Sequence, residues 1–269
     1  MAENVAKVEA EEFISQSSVD VFEGHSPEVK IRTKKMMMWL IIFAVVMLFA
    51  GITSAMIVLY GKLIWVHINP PSILWVSNSL VVLSSITMIL AVRAVKAGNQ
   101  KNGIFMIALT FVLGMAFTIT QNAGWKHMAG LGMGYTITET PEGLKAYRWN
   151  ALERLSGEYG KDYYIEFQGQ ALEKVNGEYY LPSDTGRLDP KTPQVAKTFN
   201  AAGAMLSVLI YVHIIHLFFG LIYLVVNVIR TYKGVINKEN WISLYSGGMY
   251  WHFMGILWLY LFFFMFYIS

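Results

Sequence analysis

Five runs of the chain are apolar almost without interruption: Met36–Tyr60, Ser72–Val92, Gly103–Gln121, Phe199–Ile229 and Met249–Ile268. A helix that crosses the roughly 30 Å hydrocarbon core of a bilayer needs about 20 such residues, and none of the five runs carries an Asp or Glu. The pattern predicts an all-α integral membrane protein, a bundle of five transmembrane helices. Polar stretches separate the runs. Residues 1–35 form a tail expected to be flexible or to lie on the membrane surface, 36–125 hold the first three helices, 126–198 a long loop, and 199–269 the last two helices. Within the loop, aromatic and β-branched residues flank Asn176-Gly177, the dipeptide of a tight hairpin turn. Pro141–Leu155 has the spacing of a short amphipathic helix, so the loop is expected to contain a small α/β element.

Composition agrees with lipid as the solvent. With 55% hydrophobic and 14% charged residues and a mean hydropathy of +0.44, the chain has too little polar surface to cover a soluble globule. The net charge of +3 takes on meaning once it is divided along the chain. Residues 1–35 hold 5 basic and 7 acidic residues, and 126–200 hold 9 and 10. The rest of the chain holds 7 basic residues against Glu239 alone. Those seven sit in short connections, a topology signal and not a nucleic-acid surface. Lys30, Arg32, Lys34 and Lys35 precede the first run, Arg93, Lys96 and Lys101 mark the second connection, and Arg230, Lys233 and Lys238 the fourth. Because Lys and Arg in short flanks stay in the cytoplasm, the N-terminus and these two connections are expected inside. The loop 126–198 and the C-terminus are then expected outside. The chain has no cysteine, which excludes disulfides, thiolate metal sites and cysteine nucleophiles. The first apolar run starts too late and is too long to be a secretory signal.

Candidate chemistry is sparse. His213 and His216 lie three apart in the fourth run and His252 lies in the fifth; histidines at that spacing share a helix face and suit a metal or haem. They serve equally well as hydrogen-bonding anchors to neighbouring helices or lipid headgroups. Ion-coupled transporters and proton pumps place titratable groups in the bilayer, typically Asp or Glu, so an autonomous pump is disfavoured. Nucleotide-binding, metalloprotease and hydrolase motifs are missing. The fifth run, Tyr250-Trp251-His252-Phe253-Met254-Gly255-Ile256-Leu257-Trp258-Leu259, is dense in aromatics and reads as a packing surface.

These residues resemble subunit III of the haem-copper respiratory oxidases. The fifth run is similar to that family's closing signature, Trp-His-Phe followed by an acid and a Trp-Leu pair. His213, His216 and Gly220 resemble its fourth-run histidine segment. MMMWLIIFAVVMLFAG, Asn69-Pro70-Pro71 and Phe117-Thr118-Ile119-Thr120-Gln121 match further motifs in order. The family's longer form has seven helices, so the resemblance is to the five-helix bacterial form. Three carboxylates usual in the family fall here on Val45, Gly255 and near Gly124, and proton-relay roles tied to them do not carry over.

The resemblance implies a non-catalytic core subunit of a cytochrome c or quinol oxidase in a bacterial inner membrane, with no cofactor of its own. Haem and copper are expected in subunits I and II. The subunit would stabilise subunit I, bind phospholipid and support proton uptake and turnover in aerobic respiration. His213, His216, Trp251, His252 and Trp258 are then expected at lipid or subunit interfaces. The loop 126–198 is a candidate dock for a cytochrome c domain or another respiratory complex. Its tyrosines, Tyr159, Tyr163, Tyr164, Tyr179 and Tyr180, either make that dock or pack a small core of their own. The alternative is a membrane cytochrome b-like carrier with haem on His213 or His216 and His252.

Overall fold

The computed structural model describes residues 27–60, 64–132, 135–139, 145–149, 155–198, 200–264 and 266; for 27, 135–139, 145–149 and 197 it describes the backbone alone. Helix α1 (Pro27–Tyr60) begins at a proline with Glu28 in its first turn, the residues that suit the free N–H groups and positive end of a helix. It starts nine residues before Met36, so the basic cluster from Lys30 to Lys35 is helical and only residues 1–26 of the expected tail lie outside the described residues. At 34 residues it is about 51 Å long, longer than the hydrocarbon core, so the basic turns extend beyond it.

Strand β1 (Ile64–Ile68) leads to α2 (Ser72–Lys96), whose extended Pro71 cap stops backward propagation. A turn with Gly98 at φ 82° joins it to α3 (Gln100–Gly130), where Asn99 Oδ1 accepts from Asn102 N at 3.2 Å. Helix α5 (Ala201–Tyr232) is capped the same way, Asn200 Oδ1 accepting from Gly203 N at 2.9 Å. Helix α6 (Ile242–Phe263) begins earlier than its apolar run because Ser243, Ser246, Gly247 and Gly248 are buried. These residues are too small and polar to register as a span, yet they let helices approach closely.

Helices α1, α2, α3 and α5 are long and apolar enough to cross a membrane. The 22-residue α6, which is not among those four, stands where the fifth span is expected and carries Trp, Tyr and His side chains and three glycines. Large apolar side chains point outward all around the bundle, Trp39, Leu40, Phe43 and Met47 on α1 among them, while Asn78, Gln121 and Asn227 are buried. That inversion of the soluble pattern is what lipid selects, and the chain is a helical membrane protein.

The connections gather at opposite ends. At the basic end, Gln100 Nε2 donates to the carbonyls of Thr231 (2.9 Å) and Ile236 (2.5 Å), joining the α2–α3 turn to the α5–α6 connection. At the other end β1 pairs antiparallel with β4 (Tyr163–Phe167), from Ile64 opposite Phe167 to Ile68 opposite Tyr163, and β4 pairs with β5 (Gln170–Ala171). Strands β6 (Glu173–Val175) and β7 (Glu178–Tyr180) form a hairpin across Asn176 (φ 52°) and Gly177 (φ 88°), the left-handed pair of a type I′ turn. Helix α4 (Thr192–Lys197) completes the element.

The helix expected over Pro141–Leu155 is corrected. Lys145–Trp149 is strand β3, antiparallel to β2 (Tyr135–Glu139), and 141–144 and 150–154 lie outside the described residues. Lys-Ala-Tyr-Arg-Trp sets two aromatics of high strand preference, Tyr147 and Trp149, two residues apart, which outweighs a loose helical spacing.

Candidate functional site

The aromatic α6 is tied into the bundle by its polar tips. Trp251 Nε1 donates to Ser84 Oγ at 3.1 Å and Trp258 Nε1 to Asn78 Oδ1 at 2.9 Å, two bonds to α2 from fully enclosed indoles. Tyr250 Oη donates to the His216 carbonyl at 3.0 Å, and Tyr223 Oη to the Ser243 carbonyl at 2.8 Å, fastening α6 to α5. Gly114 clears the way for Trp251: a Cβ there would stand 2.7 Å from its Cη2, whereas one on Gly220 would meet Cε3 at an ordinary 3.5 Å. Phe117 and Trp125 flank the Trp258 ring edge-on at 5.8 and 6.0 Å.

The three candidate histidines are placed differently. His213 is buried against Trp258 (ring centroids 5.3 Å) and Phe49 (6.4 Å). His216 is half-buried, its Nδ1 2.7 Å from the Val212 carbonyl and its ring 5.9 Å from Phe49. His252 is half-buried on α6. Packed side chains, not an open slot, surround His213, which ill suits the macrocycle of a haem. Among the described residues no three His, Cys, Asp or Glu side chains are grouped to hold a metal ion. Trp251 and Trp258 turn toward the chain's own helices.

A second cluster caps the opposite end. His67 on β1 and Glu166 on β4 approach to 2.6 Å (Nε2 to Oε2), and Tyr60 at the end of α1 donates to the same carboxylate at 3.0 and 3.2 Å. The His67 ring stacks on Tyr164 at 4.5 Å. Beneath lies an aromatic core in which Tyr159 packs edge-on against Tyr163 (5.6 Å) and Tyr179 (5.4 Å), and its Oη donates to the Leu172 carbonyl at 2.7 Å. Burial pushes the Tyr163 phenol up to about 12 and raises Tyr159 and Tyr179. The amides of Asp189 and Leu188 hold Asp184 below the usual carboxylate range and brace the turn before α4.

At the basic end Lys96 Nζ stands 3.6 Å over the Trp241 ring, and Lys35 and Lys96 both stand 5.2 Å over Tyr245. This cation–π layer holds the starts of α1 and α6 and the end of α2 together.

No family model matches the chain. It is similar to a cytochrome c oxidase subunit 3. That relative, from Alkalihalophilus pseudofirmus, is 25% identical over 190 residues, which are 71% of this chain and 63% of that protein. The chain thus matches less than two thirds of its relative's length. Of the three positions at which the resemblance expects an acid, Val45 is buried one turn before Phe49, a Cβ on Gly124 would stand 2.5 Å from Leu74 Cδ2, and one on Gly255 would make ordinary contact with Val81 at 3.4 Å.

Sequence reasoning missed the partners that make the site: Ser77, Asn78, Ser84 and Gln121 in the bundle, and Tyr60, His67 and Glu166 at its end. Within the first group Asn78 and Gln121 carried a usable signal, since amides within apolar spans are rare and need partners. The second carried none, because nothing local links residue 67 to residue 166.

Proposed function

We propose that the chain is the third, non-catalytic subunit of a haem-copper terminal oxidase, in a five-helix form with α6 as its fifth span. The observation that carries this reading is the fit between signature and structure. Trp251 and Trp258, the residues on which the resemblance turns, make buried indole bonds that hold α6 to α2. Similarity to the Alkalihalophilus subunit points the same way. The chain itself performs no chemistry. It braces the catalytic subunit I, which with subunit II would hold haem and copper, and it supports proton uptake and turnover. His213, Trp251 and Trp258 act as internal anchors, while half-buried His216 and His252 face lipid or a neighbouring subunit.

The basic end faces the cytoplasm by the distribution of Lys and Arg, and the β-rich element stands on the periplasmic side of a bacterial inner membrane. That element is a dock for subunit II, a cytochrome c domain or another respiratory complex. Gentle detergent purification through a tag on this chain, followed by identification of co-purifying subunits and an absorption spectrum, tests the reading. Oxidase subunits I and II in equal amount are expected. A stoichiometric haem band retained by the isolated chain overturns it in favour of a cytochrome b-like carrier. Deleting 141–190 is expected to weaken co-purification of the periplasmic partner while the helices remain inserted.

A further inference from the structure

We infer that Asn78, Gln121 and His213 together form an internal water site beside Trp258, at the meeting point of α2, α3, α5 and α6. All three are at least nine-tenths buried, at 7, 2 and 2% exposure, and each has a polar atom without a protein partner: Asn78 Nδ2, Gln121 Nε2 and His213 Nδ1. Asn78 and His213 touch one indole, and Gln121 is tied beside Asn78 through Ser77. Asn78 accepts the indole N–H, His213 lies against its ring, and Gln121 sits one helical turn from both Phe117 and Trp125, which flank the same ring. Ser77, next to Asn78, lies 2.5 Å from Gln121 Oε1.

Proton counting sharpens the site. The Ser77 hydroxyl stands 2.8 Å from the Leu74 carbonyl and 2.5 Å from Gln121 Oε1, and it has one hydrogen to give. If that hydrogen goes to Leu74, the Gln121 amide turns its N–H toward Ser77 and leaves its carbonyl open. If it goes to Gln121, the amide N–H stays open. Either way the cluster presents the Asn78 N–H donor, one group of Gln121, and a His213 nitrogen that donates or accepts by tautomer. A small neutral molecule that both donates and accepts fits this set, and water with about three partners is the smallest. A cation is opposed by the Asn78 donor, and an anion finds no positive side chain there. The site belongs to the bundle itself, whatever complex the chain joins.

The test compares the full chain in lipid nanodiscs with His213→Phe, Gln121→Met and the double variant, each checked for monodisperse elution. Removing one partner of a bridging water strands the others, so each single change is expected to lower the apparent melting midpoint by roughly 3–8 °C. The double variant is expected to fall by less than the sum, because the second change removes a partner of a water already lost. His213→Asn, which keeps a polar atom, is expected to recover much of the loss and serves also if His213→Phe does not fold. A midpoint that is unchanged or raised by His213→Phe overturns the proposal, since deleting an isolated orphan relieves a penalty; Gln121→Met also gives up the Ser77 contact and is read through the double variant. Losses that add in full, or no recovery in His213→Asn, overturn it as well. In a map fine enough to resolve ordered solvent, density between the three side chains is expected, and a dry, collapsed contact there overturns the site.

Discussion

The helical bundle and the β-rich element beyond its end solve burial in opposite ways. In the element, Ile165, Leu172, Val195 and Tyr163 turn inward and carboxylates such as Glu166 and Asp184 take structural roles. In the bundle the outside is at least as apolar as the inside, and the polar residues mark the interior: Asn78, Ser84, Thr110, Gln121, His213 and Asn227. Lipid is as apolar as leucine, so burying leucine between helices gains little. Close packing and neutral hydrogen bonds decide which faces meet. An apolar run therefore locates a helix in the membrane, and its few polar residues locate the helix's partners.

The comparison implies that removing one central tie harms the bundle more than any single change in the element. Trp258→Ala empties the space between Phe117, Trp125 and His213 and strands the Asn78 carbonyl. The expected loss is about 3–5 kcal/mol, measured as a shift in denaturant unfolding in detergent. A loss no greater than that of an outward change such as Leu40→Ala contradicts the idea that α6 is keyed by its indoles. Next comes overfilling. Gly114→Val places a branched side chain against the Trp251 ring, which cannot yield without giving up Ser84, and is expected to cost about 2–3 kcal/mol. The paired substitution Trp251→Leu is expected to relieve part of that strain.

A charge-dependent contact should matter at the end of the bundle and not within it. Glu166→Gln removes the charge facing His67 and one of two oxygens that receive Tyr60. The expected cost is about 1–2 kcal/mol, and it should appear locally. Hydrogen exchange at Ile64–Ile68 is expected to quicken while α2 and α3 keep their protection. Uniform quickening across the helices would show that the two regions fold as one unit.

How far all this was legible differs between the two regions for the same physical reason. The middles of the apolar runs located α1, α2, α3 and α5, because hydropathy alone dictates them. Of their ends, Tyr60 and Ser72 were legible and others were not. Lys30 to Lys35 and Ser243 to Gly248 continue helices through charged residues in the one case and small, turn-prone residues in the other. In the loop, Asn176-Gly177 announces the β6–β7 hairpin because that turn demands two left-handed residues, whereas β1 gave no sign of pairing with a strand about a hundred residues away. Trp251, Trp258 and His213 stood out as unusual side chains in spans. That Ser84 and Asn78 accept from the two indoles was not legible, since only folding brings two helices into register.

The smallest effect at neutral pH is also the one that separates the regions most cleanly. Tyr163 is pushed up to about 12 from an ordinary 10 by burial, so the folded element keeps its proton where the unfolded chain releases it. A group whose pKa is raised on folding adds stability that is complete below the unfolded value and disappears as pH climbs through the folded one. Between about pH 10 and 12 the element should therefore weaken, with Trp65 emission shifting as β1 leaves β4 and tyrosinate absorbance rising in step. Tyr163→Phe should lower neutral stability only by the lost bond to Tyr179, about 1 kcal/mol, and carry the transition to higher pH, short of complete resistance because burial also raises Tyr159 and Tyr179. The bundle's ties at Trp251–Ser84 and Trp258–Asn78 involve no titrating group, so helical circular dichroism should hold across the same range. Loss of helix in parallel with tyrosine ionisation would mean that the element, through β1 and Tyr60, supports the bundle rather than riding on it.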